Sequence, residues 1–159
     1  MGNVLRDREV SSMWDLKVRG SRPATFRLLR QPSGDRLIPH LALPGRPVAA
    51  MVAFSLFADP LLRHLSARRP RKARYLSARL AAIPQEIQKS QRFLPVRLRR
   101  CESGWEAVPT GDASLYGLAA AIGAHGFALL GQGSDEPAVG QPAQVLIPPW
   151  QEVVEGEAG

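Results

Sequence analysis

The 159-residue sequence has a single cysteine, Cys101, so no disulfide can close within the chain. That usage suits a reducing compartment. His40, His64 and His125 share no metal-ligand spacing, and no cysteine pair exists to join them. No unbroken apolar run approaches the roughly 20 residues that a membrane span requires. Residues 1–10 carry charges and no apolar core of a secretory signal, which makes cytoplasm the expected compartment. Ser114 lacks a Gly-x-Ser-x-Gly frame, so a nucleophile elbow is unsupported. Asp35, Asp59, Asp112, Asp135 and Glu136 are scattered mostly through turns and do not announce a paired-carboxylate site. Internal repeats and low-complexity tracts are missing too.

What the chain does contain is an ordinary globular balance, 45% hydrophobic and 22% charged residues. Its length suits one domain, or two small pieces sharing an interface. The net charge is +7, and basic residues are densest in two places. Residues 63–74 include Arg68, Arg69, Arg71 and Lys72, and a second cluster holds Arg97, Arg99 and Arg100. Such clusters can bind phosphate in a salt-dependent way. No recognition helix, zinc module or aromatic RNA-binding platform accompanies them, so specific nucleic-acid binding is not expected. The first block follows a helix, where cations favour the C-terminal dipole, and reads as a solvated basic linker.

Along the chain the texture changes once. Residues 16–19 and 24–29 look like short strands, Pro32-Ser33-Gly34-Asp35 is a turn, and 37–43 returns as a strand containing a proline. From 48 to about 66 the pattern is helical, apolar on more than one face and therefore buried. Pro60 is expected to kink or break that helix. After the basic linker, short β segments at 75–82, 93–100, 105–109, 127–130 and 143–147 suggest a small barrel or folded sheet. An Ala- and Leu-rich helix is expected at 114–124, and the acidic tail at 151–159 should be disordered. The fold class is therefore α+β.

One segment leads from the early strands into the long helix: Leu43-Pro44-Gly45-Arg46-Pro47-Val48-Ala49-Ala50. Pro44 and Pro47 fix two φ angles, and Gly45 supplies freedom for a tight turn. Pro47 suits the first turn of a helix, where its missing N–H has no intrahelical partner. The stiff loop would aim the free N–H groups of a helix N-terminus, with Arg46 beside them, at one point, which is anion-binding geometry. A plain strand-to-helix connection without a ligand is the other reading. Arg19 and Arg22 flank Gly20-Ser21 ahead of Pro23, again placing cations beside constrained backbone. Arginine forks and backbone N–H groups together suit an oxyanion such as phosphate or molybdate.

The ordered set of these segments resembles the C-terminal portion of the molybdopterin molybdotransferases, the family of the gephyrin E domain. The resemblance is carried by the run from Trp14 through Lys17-Val18-Arg19-Gly20-Ser21-Arg22-Pro23 to Phe26. It continues in the segment 41–50, the helix 54–65, Arg92-Phe93-Leu94, Thr110-Gly111-Asp112-Ala113-Ser114 and Val139-Gly140-Gln141-Pro142. The family's usual motifs there are K-P-G-K-P and L-P-G-N-P-V-S-A. The resemblance implies insertion of molybdate into adenylylated molybdopterin, with release of AMP, by an elongated homodimer. It implies a partial α/β, molybdopterin-binding-like segment with a long helix over residues 1–69, then a β-barrel C-terminal domain over 70–150. Residue by residue it assigns molybdate or phosphate contact to Arg19, Arg22, Pro44, Gly45, Arg46, Pro47 and Ser114, and it leaves the catalytic residues unassigned.

Departures from the family pattern are equally specific. Arg46 replaces asparagine, Ala49 serine and Gly20 proline, while Asp15 and Pro95 stand where cations are common. Losing positive charge near an oxyanion weakens its binding directly, and Arg46 offsets part of that loss. The family's nucleotide motif and Mg²⁺-binding carboxylates lie upstream of the matched segment, so Mg²⁺ would need carboxylates from elsewhere. The expectation is a truncated or split molybdotransferase, working as a homodimer or with a companion subunit that carries the missing half. The alternative is a non-catalytic oxyanion-binding or protein-interaction domain, including a degenerate relic.

Overall fold

A computed structural model of the chain describes residues 9–16, 24–32, 34–69, 71–84, 93–111, 117–130 and 138–152. The first element group is an antiparallel three-stranded sheet in the order β1 (Glu9–Leu16), β2 (Ala24–Arg30), β3 (Leu37–Ala42). The β2–β3 register is regular from Thr25↔Ala42 to Arg30↔Leu37, whereas β1 shifts register between Glu9 and Ser11 and again between Ser11 and Trp14. Of the strand expected at 16–19, Leu16 is the last residue of β1, and 17–19 lie outside the described residues. Residues 9–16 lack clean alternation, with Ser11-Ser12 in the middle, which hides them from a period-two reading.

A 19-residue helix follows over Pro47–Leu65. It is α-helical at Pro47–Ala53, π-helical at Phe54–Ala58 and α-helical again at Asp59–Leu65. Pro60 neither breaks nor ends it. A proline lacks the N–H for an i→i−4 bond and its ring crowds that carbonyl. The helix widens in the preceding turn, where the Asp59 N–H reaches back five residues to the Phe54 carbonyl. By length and composition this helix could cross a membrane; 33% of its apolar window is buried inside the fold, including Val48, Val52 and Ala53. At its end Ala67 adopts φ 52°, and the Arg68 and Ala67 N–H groups bond the Arg63 and His64 carbonyls at 2.9 and 3.2 Å. That is the Schellman arrangement with alanine in the position that favours glycine.

The five later strands, β4 (Arg74–Leu80), β5 (Phe93–Cys101), β6 (Gly104–Pro109), β7 (Gly126–Leu129) and β8 (Pro142–Ile147), close into a barrel in the order β4-β6-β5-β7-β8. All neighbours are antiparallel except β4 and β6, which run parallel through Arg79↔Glu106 and Leu80↔Ala107. Alternate residues fill the interior: Ala78 and Leu80, then Leu94, Val96 and Leu98, then Ala107, Ala128, Val145 and Ile147. The intervening Phe127 and Leu146 point outward and join Ala24, Val48, Val52, Ala53 and Ala121 in a second buried cluster. Ala121 lies on a short helix, Leu118–Ile122, within the longer helix expected at 114–124. Segment and barrel thus share one apolar seam, and the fold is α+β with a closed barrel.

Two backbone features give measurable consequences. A Cβ at Gly126 would sit 2.7 Å from Val145 Cγ1 and 2.8 Å from the Leu146 carbonyl oxygen. Because a strand carbonyl cannot yield, Gly126→Ala is expected to destabilise the protein by about 1–3 kcal/mol in urea unfolding. Ala67→Gly should instead stabilise by about 0.5–1 kcal/mol, since relief of the left-handed penalty exceeds the entropy cost of glycine.

Candidate functional site

The strand-to-helix turn is where the sequence concentrates its anion-binding features. Pro44 is buried, Gly45 and Arg46 are exposed, and Pro47 opens the helix. Arg46 is the N-cap in extended conformation (φ −83°, ψ 130°), and its carbonyl accepts the Ala50 N–H at 2.8 Å. No side chain caps this end, and the first turn has no acidic residue. The positive end of the helix and the Arg46 guanidinium therefore lie side by side. Ala49, where the resemblance expects a hydroxyl, is buried against the fold.

Gly45 corrects one expectation. Its φ lies outside the left-handed range, and an added Cβ would meet nothing within 4 Å. The turn is set by its prolines and needs no glycine for its path. Arg19, Arg22 and Ser114, together with Gly20, lie outside the described residues. The structure therefore brings Pro44, Gly45, Arg46 and Pro47 together. Pro95, where the resemblance expects a cation, is fully buried on β5, with its carbonyl accepting the Thr110 N–H at 3.0 Å. A charge placed there would be costly without a partner.

No protein-family model matches this chain, and no curated protein matches it.

The remaining ionisable residues divide between structural pairing and open surface. Arg99 is bound to Glu106 across β5 and β6, and that carboxylate raises the Arg99 pKa, first by hydrogen bonding and then by its charge. The Arg100 guanidinium lies 5.2 Å from the centroid of the Trp105 ring. Arg30 pairs with Asp35 at 2.7 Å. Two of the three arginines in the second basic cluster thus have partners on their own hairpin, while Arg97 sits 3.4 Å from where a Gly123 Cβ would be. The histidines are separated by role: His125 Nδ1 accepts the Leu98 N–H at 3.3 Å, and His64 is exposed. His40 Nδ1 is buried without a hydrogen-bond partner among the described residues, opposite Arg27 in register. No group of three or more metal-ligating side chains occurs among the described residues.

The basic linker is not uniformly solvated. Arg74 Nη2 donates to the Pro148 and Gln151 carbonyls at 3.2 and 2.5 Å, tying the start of β4 to the chain beyond β8. With Arg71 and Lys72 it lines a groove against the π-helical turn. Sequence reading missed this grouping because its residues come from three separated stretches. The available signal was Pro60, whose position in an otherwise apolar helix demands a local change in hydrogen bonding.

Since Gly45 needs neither special φ nor space, Gly45→Ala should leave stability unchanged or raise it by up to about 1 kcal/mol, through the lower entropy of the unfolded chain. Thermal and urea unfolding of the two proteins measure this.

Proposed function

We propose that this chain serves molybdenum cofactor assembly as a molybdopterin molybdotransferase-like binding element. In this reading it contributes oxyanion contacts, while the nucleotide- and Mg²⁺-binding portion lies outside these residues. The observation that carries the proposal is the exposed Arg46 at an uncapped helix start, fixed by Pro44 and Pro47 and lacking acidic residues in its first turn. The order of elements supports the same reading, since the turn, the long helix and a closed barrel follow one another as the resemblance implies. Molybdate would be held by Arg46, the adjoining backbone N–H groups, Arg19 and Arg22, with Ser114 as a further donor. Molybdopterin would bind as the acceptor of the metal, within a homodimer or a complex with a companion subunit in the cytoplasm.

A second reading rests on β3. This strand lies at the sheet edge, and Leu37 and Ile38 are each 43% exposed there. An apolar edge with no neighbouring strand among the described residues is a template for a partner strand, which suits a non-catalytic interaction domain.

Calorimetric titration with molybdate and tungstate separates the two. Binding by the wild type near the millimolar range is expected, weakened about tenfold in Arg46→Ala and in Arg19→Ala. A folded wild type with no heat and no change in thermal stability at about millimolar anion would defeat the ligand reading and favour the second.

A further inference from the structure

Ser55 is the only polar residue buried as a whole among the described residues, and it sits inside the π-helical turn. Its hydroxyl donates to the Met51 carbonyl at 2.8 Å. That carbonyl, one turn back, is part of the helix, so the hydroxyl proton can turn to another acceptor at small cost. Ser55 lines a shallow groove together with Asp59 of the same helix, Arg71, Lys72 and Arg74 before and at the start of β4, and Pro149 after β8. Its enclosed part has room for about one water molecule and the rest is open to solvent, so a bound polar group would sit at the mouth, beside the exposed Arg71 and Lys72.

The charges around the groove are unequal. Asp59 is engaged, since Arg63 Nε donates to both of its carboxylate oxygens at 3.1 and 2.9 Å. Arg71 and Lys72 are exposed at the rim. Both hydrogen bonds of Arg74 to described residues leave from Nη2, which fixes its guanidinium plane. Burial lowers the Arg74 pKa, the Arg71 charge lowers it further, and Glu152 raises it. Cations crowded into a partly desolvated groove gain most from an anion that neutralises them together.

We infer that this groove binds a phosphate-sized oxyanion group, held by Arg71, Lys72 and Arg74 with Ser55 as a hydroxyl donor. The site shares no residue with the Pro44–Pro47 turn. Ser55 lies nine residues further along the helix than Arg46, roughly 13 Å at the usual rise. The π turn ahead of Pro60 sets Ser55 in the lining of the same groove as the three cations. Free phosphate and a phosphate monoester offer the same chemistry to these groups.

The test is calorimetry with inorganic phosphate and with glycerol 3-phosphate, each at fixed ionic strength. Wild type is expected to bind at least one of them with a Kd on the order of 1 mM. The exposed double substitution Arg71→Ala/Lys72→Ala should weaken binding about tenfold and leave thermal unfolding in phosphate-free buffer unchanged. Ser55→Ala should weaken it less, and Arg46→Ala should leave it intact. Tighter binding of the monoester would identify an organic phosphate as the source, and equal binding would identify the phosphate group alone. Undiminished binding by the double variant, no heat from either probe with wild type, or loss confined to Arg46→Ala would overturn the site. Tight binding of a single-stranded RNA oligonucleotide that phosphate fails to displace would overturn it as well. Because Arg46 reports on the molybdate reading and Arg71 with Lys72 on this one, either can fail without the other.

Discussion

The barrel has two apolar surfaces, and the structure depends on covering the second one. A five-stranded barrel buries its interior through alternate residues, yet here Phe127 and Leu146, on β7 and β8, are apolar and point outward. Exposed side by side they would form an adhesive patch. Val48, Val52 and Ala53 from the long helix, Ala121 from the short helix and Ala24 from β2 cover them completely. Each large side chain so buried contributes about 1.5–3 kcal/mol relative to exposure. The small residues matter as much, because Ala53 and Ala121 let the helices approach the barrel closely. The three-stranded sheet is then positioned through Ala24, the first residue of β2, and through the turn that enters the helix.

This seam explains why the helix tolerates two prolines and a π turn. Pro47 costs nothing at the first helical position, where its missing N–H has no intrahelical partner, and with the first two turns held by tertiary packing Pro60 is accommodated by widening rather than by a break. Beyond Asp59 no side chain of the helix is fully buried, and Leu62 and Leu65 are about half exposed. Regularity is kept there by the Asp59–Arg63 pair and the Schellman ending. The change in hydrogen bonding falls at the boundary between the packed and the exposed halves, where Ser55 lines the groove beside the approach to β4.

What the sequence makes legible follows from how local the determining interaction is. The barrel strands are readable because alternation within each strand records which residues face inward, as in Leu94, Val96 and Leu98. The helix start is readable because a proline at its first position has a local cause. Strand β1 is not, since its register is irregular and Ser11-Ser12 interrupt its pattern. The reason given to Gly45 fails because flexibility is a permission and not a requirement: two prolines already determine the path. Position 95 shows another limit. Its departure from the family pattern is visible in the sequence, but only burial explains why a cation has no place there.

The distribution of charge carries the functional argument further than the net value of +7 does. Arg30, Arg63 and Arg99 are matched to Asp35, Asp59 and Glu106, and Arg100 lies over an aromatic ring. These pairings hold hairpins and a helix turn, and of the ion pairs Arg99–Glu106 lies on the barrel. The turn at Arg46 and the groove at Arg71, Lys72 and Arg74 each set cations against fixed helix geometry. Both places border the one helix whose inner face seals the barrel. Anion binding at either would therefore draw on a scaffold already ordered by apolar burial, with little further conformational entropy to lose. Preorganisation of that kind, more than the number of basic residues, is what separates these two places from the rest of a basic surface.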